Sequence, residues 1–302
     1  MMRFAVLSDG SCDLGPELAA EKNVHVVPFW VTFDGTNYQK EIEELPVRDF
    51  YQMMVDDPHT FPKTAQPAIQ DMVEAFLPYA KEKMPVLFLT ITTKFSGTYN
   101  AARLAADMVR EEVPDAEICV LNSCVNTVTQ GLAVLEACRM RDAGYTLSEC
   151  VERLQKMIPT GRILFTVGNY DYLVKGGRIG KLMAAMVMGL NIRPLIILKE
   201  GEIFPGGIAR GRKRSLEKVL GLLPKYFKLH RDEDPKDYAY VIGYGYDREE
   251  AVDFREKMKE CLKELGCEAE IRLCQIGAAI SAHTGPYALG IGLMRKYDTF
   301  PA

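Results

Sequence analysis

Three short apolar runs in the first half of the chain, at residues 4–7, 86–91 and 118–121, are each followed by a hydroxyl-rich turn and then by a helical pattern. A further run lies at 24–29. Between the runs, stretches such as 50–55 and 71–83 carry apolar residues at three- and four-residue spacing, the period of a helix with one buried face. Strands that alternate with helices are joined by crossovers rather than hairpins, and crossovers build a parallel sheet covered by helices. This pattern predicts an α/β fold. Near 145–159 a helical stretch ends, and Arg162-Ile-Leu-Phe-Thr-Val167 opens a new strand. The 302 residues therefore divide into two domains: 1–160, a parallel-sheet three-layer α/β domain, and 161–302, a smaller two-layer α/β domain. The second has strands expected near 162–167, 192–198, 238–243 and 269–276, and helices near 178–189, 211–227 and 247–265.

Charge and composition then exclude several classes of function. With 37 Lys and Arg against 41 Asp and Glu, the net charge of −4 offers no general attraction to phosphate backbones, so no nucleic-acid partner is expected. The apolar run at 4–7 is too short for a signal-peptide core. The longest run elsewhere, at 182–190, falls far short of the roughly 18 residues of a membrane span. No membrane insertion is expected, and the location is read as cytoplasmic. In a reducing cytosol the eight cysteines, none in a CxxC pair, are expected to be free thiols acting mostly as small buried hydrophobes. His25, His59, His230 and His283 lie far apart and none stands at zinc-ligand spacing from a cysteine, so no metal site is expected. The absence of a Walker or GxGxxG loop removes the case for a nucleotide, and no cofactor is expected.

Ligands of an open parallel sheet bind beyond the carboxyl ends of its strands. The turns there read Ser8-Asp-Gly-Ser-Cys-Asp13, Thr92-Thr-Lys-Phe-Ser-Gly-Thr98 and Asn122-Ser-Cys-Val-Asn-Thr127. Each leads into a helix whose free N–H groups and positive dipole end suit an anion, although helix capping alone calls for the same residue types. Ser96, Gly97 and Thr98 form the best candidate, because a glycine between two hydroxyls lets a ligand approach the backbone. A separate loop offers Thr64 ahead of a helix, with Pro67 near its start. In the second half His283 and Thr284 stand among small residues, before Gly285-Pro286, which leaves the imidazole approachable as a donor to a carboxylate or to Thr64. Residues 182–190, with Met183, Met186 and Met188, read as a core helix or as an adaptable wall for an apolar ligand. Local basic patches contain Arg178 and Arg210.

Taken in order, these segments resemble the DegV family of bacterial fatty-acid-binding proteins. The likeness is carried by Ser8-Asp-Gly-Ser-Cys-Asp-Leu14, Val26-Val-Pro-Phe-Trp-Val31, Thr64-Ala-Gln-Pro67, Phe95-Ser-Gly-Thr-Tyr99, Val174-Lys-Gly-Gly-Arg-Ile-Gly180 and Ala282-His-Thr-Gly-Pro286. The resemblance implies two α/β domains with one long-chain fatty acid enclosed between them, and a partner: a separate fatty acid kinase to which the acyl chain is handed. It makes Thr64 and Ser96 the carboxylate partners, has His283 order Thr64, and leaves Arg178 and Arg210 near the head group or on the kinase-docking face. Two hydroxyls of the family's usual Thr-Ser-Gln-Pro-Ser are missing, since Ala65 and Ala68 stand there, so a thinner network around the carboxylate or an altered ligand preference is expected. Asn122 replaces the usual aspartate, and Thr129 a common glycine.

Residues and resemblance agree on an anion held by uncharged donors beside an apolar cavity, without a buried fixed cation. The leading expectation is a non-enzymatic carrier of a fatty acid. The alternative is a serine-dependent hydrolase or acyltransferase with Ser96 as nucleophile and His283 as base. A lipid-sensing regulatory module is the third reading.

Overall fold

The computed structural model describes residues 3–185 and 191–300. In chain order its first part holds β1 (Ala5–Asp9), α1 (Gly15–Glu21), β2 (Val24–Val27), β3 (Trp30–Thr32), β4 (Gln39–Lys40), α2 (Val47–Asp56), β5 (Lys63–Ala65), α3 (Ile69–Lys81), β6 (Val86–Thr90), α4 (Thr98–Glu112) and β7 (Ile118–Asn122). Four of these strands form a parallel sheet in the order β2-β1-β6-β7. β1 and β6 are buried along their whole length, and a central parallel strand covered on both faces must be apolar at successive positions. Leu7 and Phe88 face α3 and α4, where they meet Met72, Phe76 and Ala105. Val6, Leu87 and Leu89 point the other way, so the sheet is the middle of three layers. Complete burial of Phe76 and Phe88 contributes roughly 1.5–3 kcal/mol each to this packing.

The run at 24–29 does not form one strand. β2 ends at Val27, and β3 begins at Trp30 in a separate antiparallel sheet of order β4-β3-β5. Pro28, at the break, has no N–H to donate to a ladder. The small sheet sets Thr64 of β5 opposite Val31 of β3.

The chain continues through α5 (Thr127–Asp142) and α6 (Leu147–Met157) into β8 (Arg162–Thr166), α7 (Asp171–Lys175), β9 (Ile192–Lys199), β10 (Glu202–Arg210), α8 (Arg212–Leu229), β11 (Tyr238–Tyr244), α9 (Arg248–Glu264), β12 (Ile271–Gln275), α10 (Ala278–Thr284) and β13 (Leu289–Arg295). A six-stranded mixed sheet has the order β10-β9-β8-β13-β11-β12, in which β11 and β12 run parallel. Two of its strands carry no clear strand signal. β10 contains Pro205-Gly206-Gly207, a turn-like triplet that the structure accommodates as a register shift in a strand at the sheet's edge. β13 has glycine at 290 and 292. A Cβ on Gly292 would lie 2.5 Å from Thr129 Oγ1, so helix α5 rests almost directly on that strand's backbone. The threonine at 129 fits opposite this glycine and donates to Arg162 O over 3.3 Å.

Helices α8 and α9 cover one face of the mixed sheet through Val219, Leu223, Phe254 and Met258. Ile163, Ile196 and Val241 point to the other face, in the same hydrophobic cluster as Val6, Leu89 and Val128. Helix α5 is thus sandwiched between the two sheets and buried on nearly every side. The helix expected at 178–189 takes a different form in its described part, Gly180–Ala185, which is a single 3₁₀ segment. Gly177 and Gly180 precede or open it at φ +67° and +50°, in the left-handed region, which breaks helical continuity. Leu182 is buried and Met183 exposed, while residues 186–190 of the expected Met-rich wall lie outside the described residues.

Candidate functional site

The three turns at the carboxyl end of the parallel sheet do different work. The first is sealed. Ser8 Oγ donates to Leu89 O at 2.8 Å, and the Asp9 carboxylate accepts from Ile91 N, Ser11 Oγ and Gln130 Nε2 at 2.5–2.9 Å. Asp9 is fully buried and its carboxyl is pushed above the usual range by desolvation, against which those donors act. The turn therefore ties β1 to β6 and α5 instead of meeting a ligand. The second turn faces a cavity of about 420 Å³, which Thr93, Lys94, Phe95, Ser96 and Gly97 line together with Asn126 to Val128 of the third.

That cavity draws on both halves of the chain. Its apolar wall includes Ile91, Ile163, Phe165, Leu198, Ile276 and Leu289. Its polar members include Thr64, Gln66, Ser96, Asn100, Arg178, His283 and Thr284, with Lys94. Thr64 arrives on β5, and His283 on the last turn of α10. Thr64 Oγ1 and His283 Nε2 are 3.0 Å apart. The ring's other nitrogen, Nδ1, is buried without a hydrogen-bond partner and lies against Gly176, where a Cβ would come within 2.1 Å of it. Burial, and second the nearby Arg178 guanidinium, lowers the His283 pKa to about 4, so the imidazole is neutral at pH 7.

Ser96 Oγ is 2.8 Å from Thr98 Oγ1 and accepts the Thr98 N–H at 3.3 Å. Thr98 itself is wholly buried at the start of α4 and does not line the cavity. Gly97 does, facing Gln66, whose Oε1 would stand 2.6 Å from a Cβ at that position. Thr284 lines the cavity while its hydroxyl donates to Ile280 O at 3.2 Å. The serine–histidine pair of the hydrolase alternative is not made: His283 bonds Thr64 and Ser96 bonds Thr98.

The two arginines part company. Arg178 lines the cavity and spans its two sides, donating from Nε and Nη2 to Phe95 O at 3.2 and 3.1 Å and from Nη1 to Gly176 O at 2.7 Å. Arg210, at the end of β10, lies instead on a different surface depression with Ile192, Arg214 and Lys218. Arg178 and Lys94 both reach the lining, the first half-buried and the second exposed, so neither is a buried fixed charge. Lys94 pairs with Glu202 at 3.6 Å, and Lys181 pairs with the same carboxylate, which links the turn after β6 to β10.

Ala65 and Ala68 are exposed and absent from the lining, so the two missing hydroxyls are not subtracted from the cavity wall. Gln66, Asn100, Phe29 and Gly176 take part in the site without having been singled out from the sequence. Gln66 and Gly176 stand inside the quoted Thr-Ala-Gln-Pro and Lys-Gly-Gly-Arg segments, which were the available signal. All eight cysteines are free. Burial pushes the thiols of Cys138 and Cys274 up to about 11 and that of Cys150 up to about 12, so they persist as unreactive thiols.

A family profile described as an uncharacterised protein family, DegV, matches residues 3–296. The chain belongs to the DegV family. A DegV domain-containing protein of Deinococcus radiodurans is 30% identical over 292 residues, which cover 97% of this chain and 98% of that one. Among solved DegV-like structures, a stearic-acid-binding protein from Eubacterium ventriosum is 38% identical, with a TM-score of 0.93, 98% of this chain and 100% of that chain being covered. A DegV family protein from Thermus thermophilus, described by its fatty acid binding, is 28% identical with a TM-score of 0.83 over 97% and 100% of the two chains. Both share this α/β architecture. No helix among the described residues of this DegV protein is long and apolar enough to cross a membrane.

Proposed function

We propose that this protein binds one long-chain fatty acid, with the carboxylate at Thr64 and Ser96 and the tail along the wall of Ile91, Ile163, Phe165, Leu198, Ile276 and Leu289. The observation that carries the reading is the Thr64–His283 pair on the polar side of an otherwise apolar cavity. A neutral imidazole has one N–H. Leaving a buried N–H unpaired is costlier than leaving a lone pair unpaired, and Nδ1 has no partner, so the proton belongs on Nε2. Nε2–H then donates to Thr64 Oγ1, and the threonine's own hydrogen is left to donate into the cavity. Ser96 adds a second hydroxyl, and Arg178 supplies positive potential without a direct ion pair. Each methylene buried by the tail adds about 0.8 kcal/mol to binding.

The finer reading is a carrier that presents the bound carboxylate to a separate fatty acid kinase and performs no chemistry itself. Its support is the family membership and the assignment of both hydroxyls and the imidazole to holding, with neither Ser96 nor His283 bonded to the other. Eight free thiols fit a reducing, cytoplasmic location.

Native mass spectrometry of the purified protein tests the reading. A mass excess equal to a long-chain acid, lost on delipidation and restored by palmitate, is the expected outcome. An apo mass that stays unchanged under excess palmitate refutes it. Stoichiometric labelling of Ser96 by a fluorophosphonate probe would favour the hydrolase instead.

A further inference from the structure

Away from the hydroxyls of the cavity, two buried acids converge on the start of helix α10. Glu41 is wholly buried. Its Oε2 accepts the N–H of Ala279 in the first turn of α10 at 2.8 Å, and its Oε1 accepts the N–H of Phe29 at 3.1 Å. The Glu41 N–H donates back to Phe29 O at 2.9 Å, so residue and partner are clamped reciprocally. Asp13 is the second acid. Its Oδ2 accepts from Thr127 Oγ1 at 2.5 Å, and its Oδ1 lies against Gly277, where a Cβ would be 2.6 Å from that oxygen and 3.6 Å from Glu41 Oε2. Among the described residues neither carboxyl has a cation as an ion-pair partner; their hydrogen-bond donors are a hydroxyl and backbone N–H groups.

The two ends of this arrangement matter. Helix α10 begins at the carboxyl of Glu41 and carries His283 in its last turn. Phe29 immediately precedes the small sheet in which Val31 of β3 pairs with Thr64 of β5. One buried side chain therefore holds both the helix that carries the imidazole and the strand pair that carries the hydroxyl. The backbone around it is held in costly conformations. Ile42, the next residue, has φ +71°, and Thr127, the donor to Asp13, has φ +46°; both are β-branched residues in the left-handed region. Such conformations persist only where the surroundings dictate them.

We propose that Glu41 is the positioning residue of the head-group site: by bonding Ala279 and Phe29 together it fixes His283 against Thr64, and Asp13 supports it at the same helix start. Burial pushes the Glu41 carboxyl up to about 7, with Asp9 adding to the shift, and burial holds Asp13 well above the usual range, with Glu41 adding to it. The inference rests on the fatty-acid reading only for the choice of binding probe.

The test compares Glu41→Ala and Glu41→Gln with Phe76→Leu, a core change on the far face of the first sheet, in ¹⁵N-histidine-labelled full-length protein. Four histidines give few ring signals, and His283→Asn identifies the one required. Without ligand, E41A is expected to move the His283 ring signals away from the Nε2–H tautomer, and E41Q, which keeps one acceptor, to move them less in the same direction. F76L is expected to lower the melting temperature without moving them. Palmitate binding is expected to weaken about ten-fold in E41A. Unchanged His283 signals in both Glu41 variants, or an equal movement in F76L, would overturn the proposal. Should wild-type protein fail to bind palmitate, the fatty-acid reading fails while the ring signals still decide the role of Glu41.

Discussion

Acidification is expected to remove the stability that one imidazole contributes to the ligand-free protein. His283 is neutral in the fold because burial, and then Arg178, lowers its pKa from 6.5 to about 4. The unfolded chain titrates near the ordinary value, so between those two pH values the unfolded state binds the extra proton. A depressed base contributes stability that is fully present above about 6.5 and is lost as pH falls to about 4. The gap of about 2.5 pK units, at about 1.4 kcal/mol each, makes the loss about 3 kcal/mol. His283→Asn removes this contribution and leaves every other titration in place. The stability difference between wild type and H283N is therefore expected to shrink by about 3 kcal/mol between pH 7 and pH 4. Urea unfolding of delipidated protein at four pH values measures it, with equal m-values as the check that both chains unfold the same surface. A difference that stays constant across that range would falsify the assignment of a buried, neutral His283. An NMR titration of the ring with a midpoint near 6.5 would do the same.

Glu41 is expected to show the opposite sign. Its carboxyl is raised to about 7, chiefly by burial, with Asp9 adding to the shift, so its stabilisation is complete below about 4.5 and is lost as pH rises to about 7. Relative to wild type, E41Q should gain up to about 3 kcal/mol over that window, and a flat difference in calorimetry or urea titration refutes it. Lengthening a saturated acid by one methylene should tighten binding about four-fold, the effect of about 0.8 kcal/mol, until the chain outgrows the cavity. A calorimetric series from ten to twenty carbons with no such slope would argue against tail burial. Gly176 sits at φ −75°, a conformation alanine adopts freely, yet the added methyl would strike His283 Nδ1. Gly176→Ala should accordingly shift the His283 ring signals and weaken palmitate binding, and wild-type affinity in that variant would show the ring to be placed elsewhere.

Much of this was legible in contiguous residues. Unbroken apolar runs such as Val86-Leu-Phe-Leu announce strands covered on both faces, and hydroxyl-rich turns announce the ends of a parallel sheet where helices start. Thr64, Ser96 and His283 could be named for the same reason, because each stands in a turn or among small residues whose local chemistry is unusual. β10 and β13 were not legible, since Pro205-Gly-Gly207 and the glycines at 290 and 292 look like turns until α5 is laid against the sheet. Arg178 and Arg210 looked alike along the chain, and only the packing sent one to the cavity and the other to a separate surface. Glu41 was invisible inside the polar run Gln39-Lys-Glu-Ile-Glu-Glu44, because nothing local says which of those acids turns inward. The sequence by itself determined the α/β class, the turns and the residue types available for an anion, all of which depend on neighbours a few positions apart. The tertiary structure decided which of them meet: Thr64 and His283 are 219 residues apart, and Glu41 and Ala279 are 238 apart. Hydrogen bonds over such separations form only when two sheets close on α5, and local periodicity carries no record of that closure.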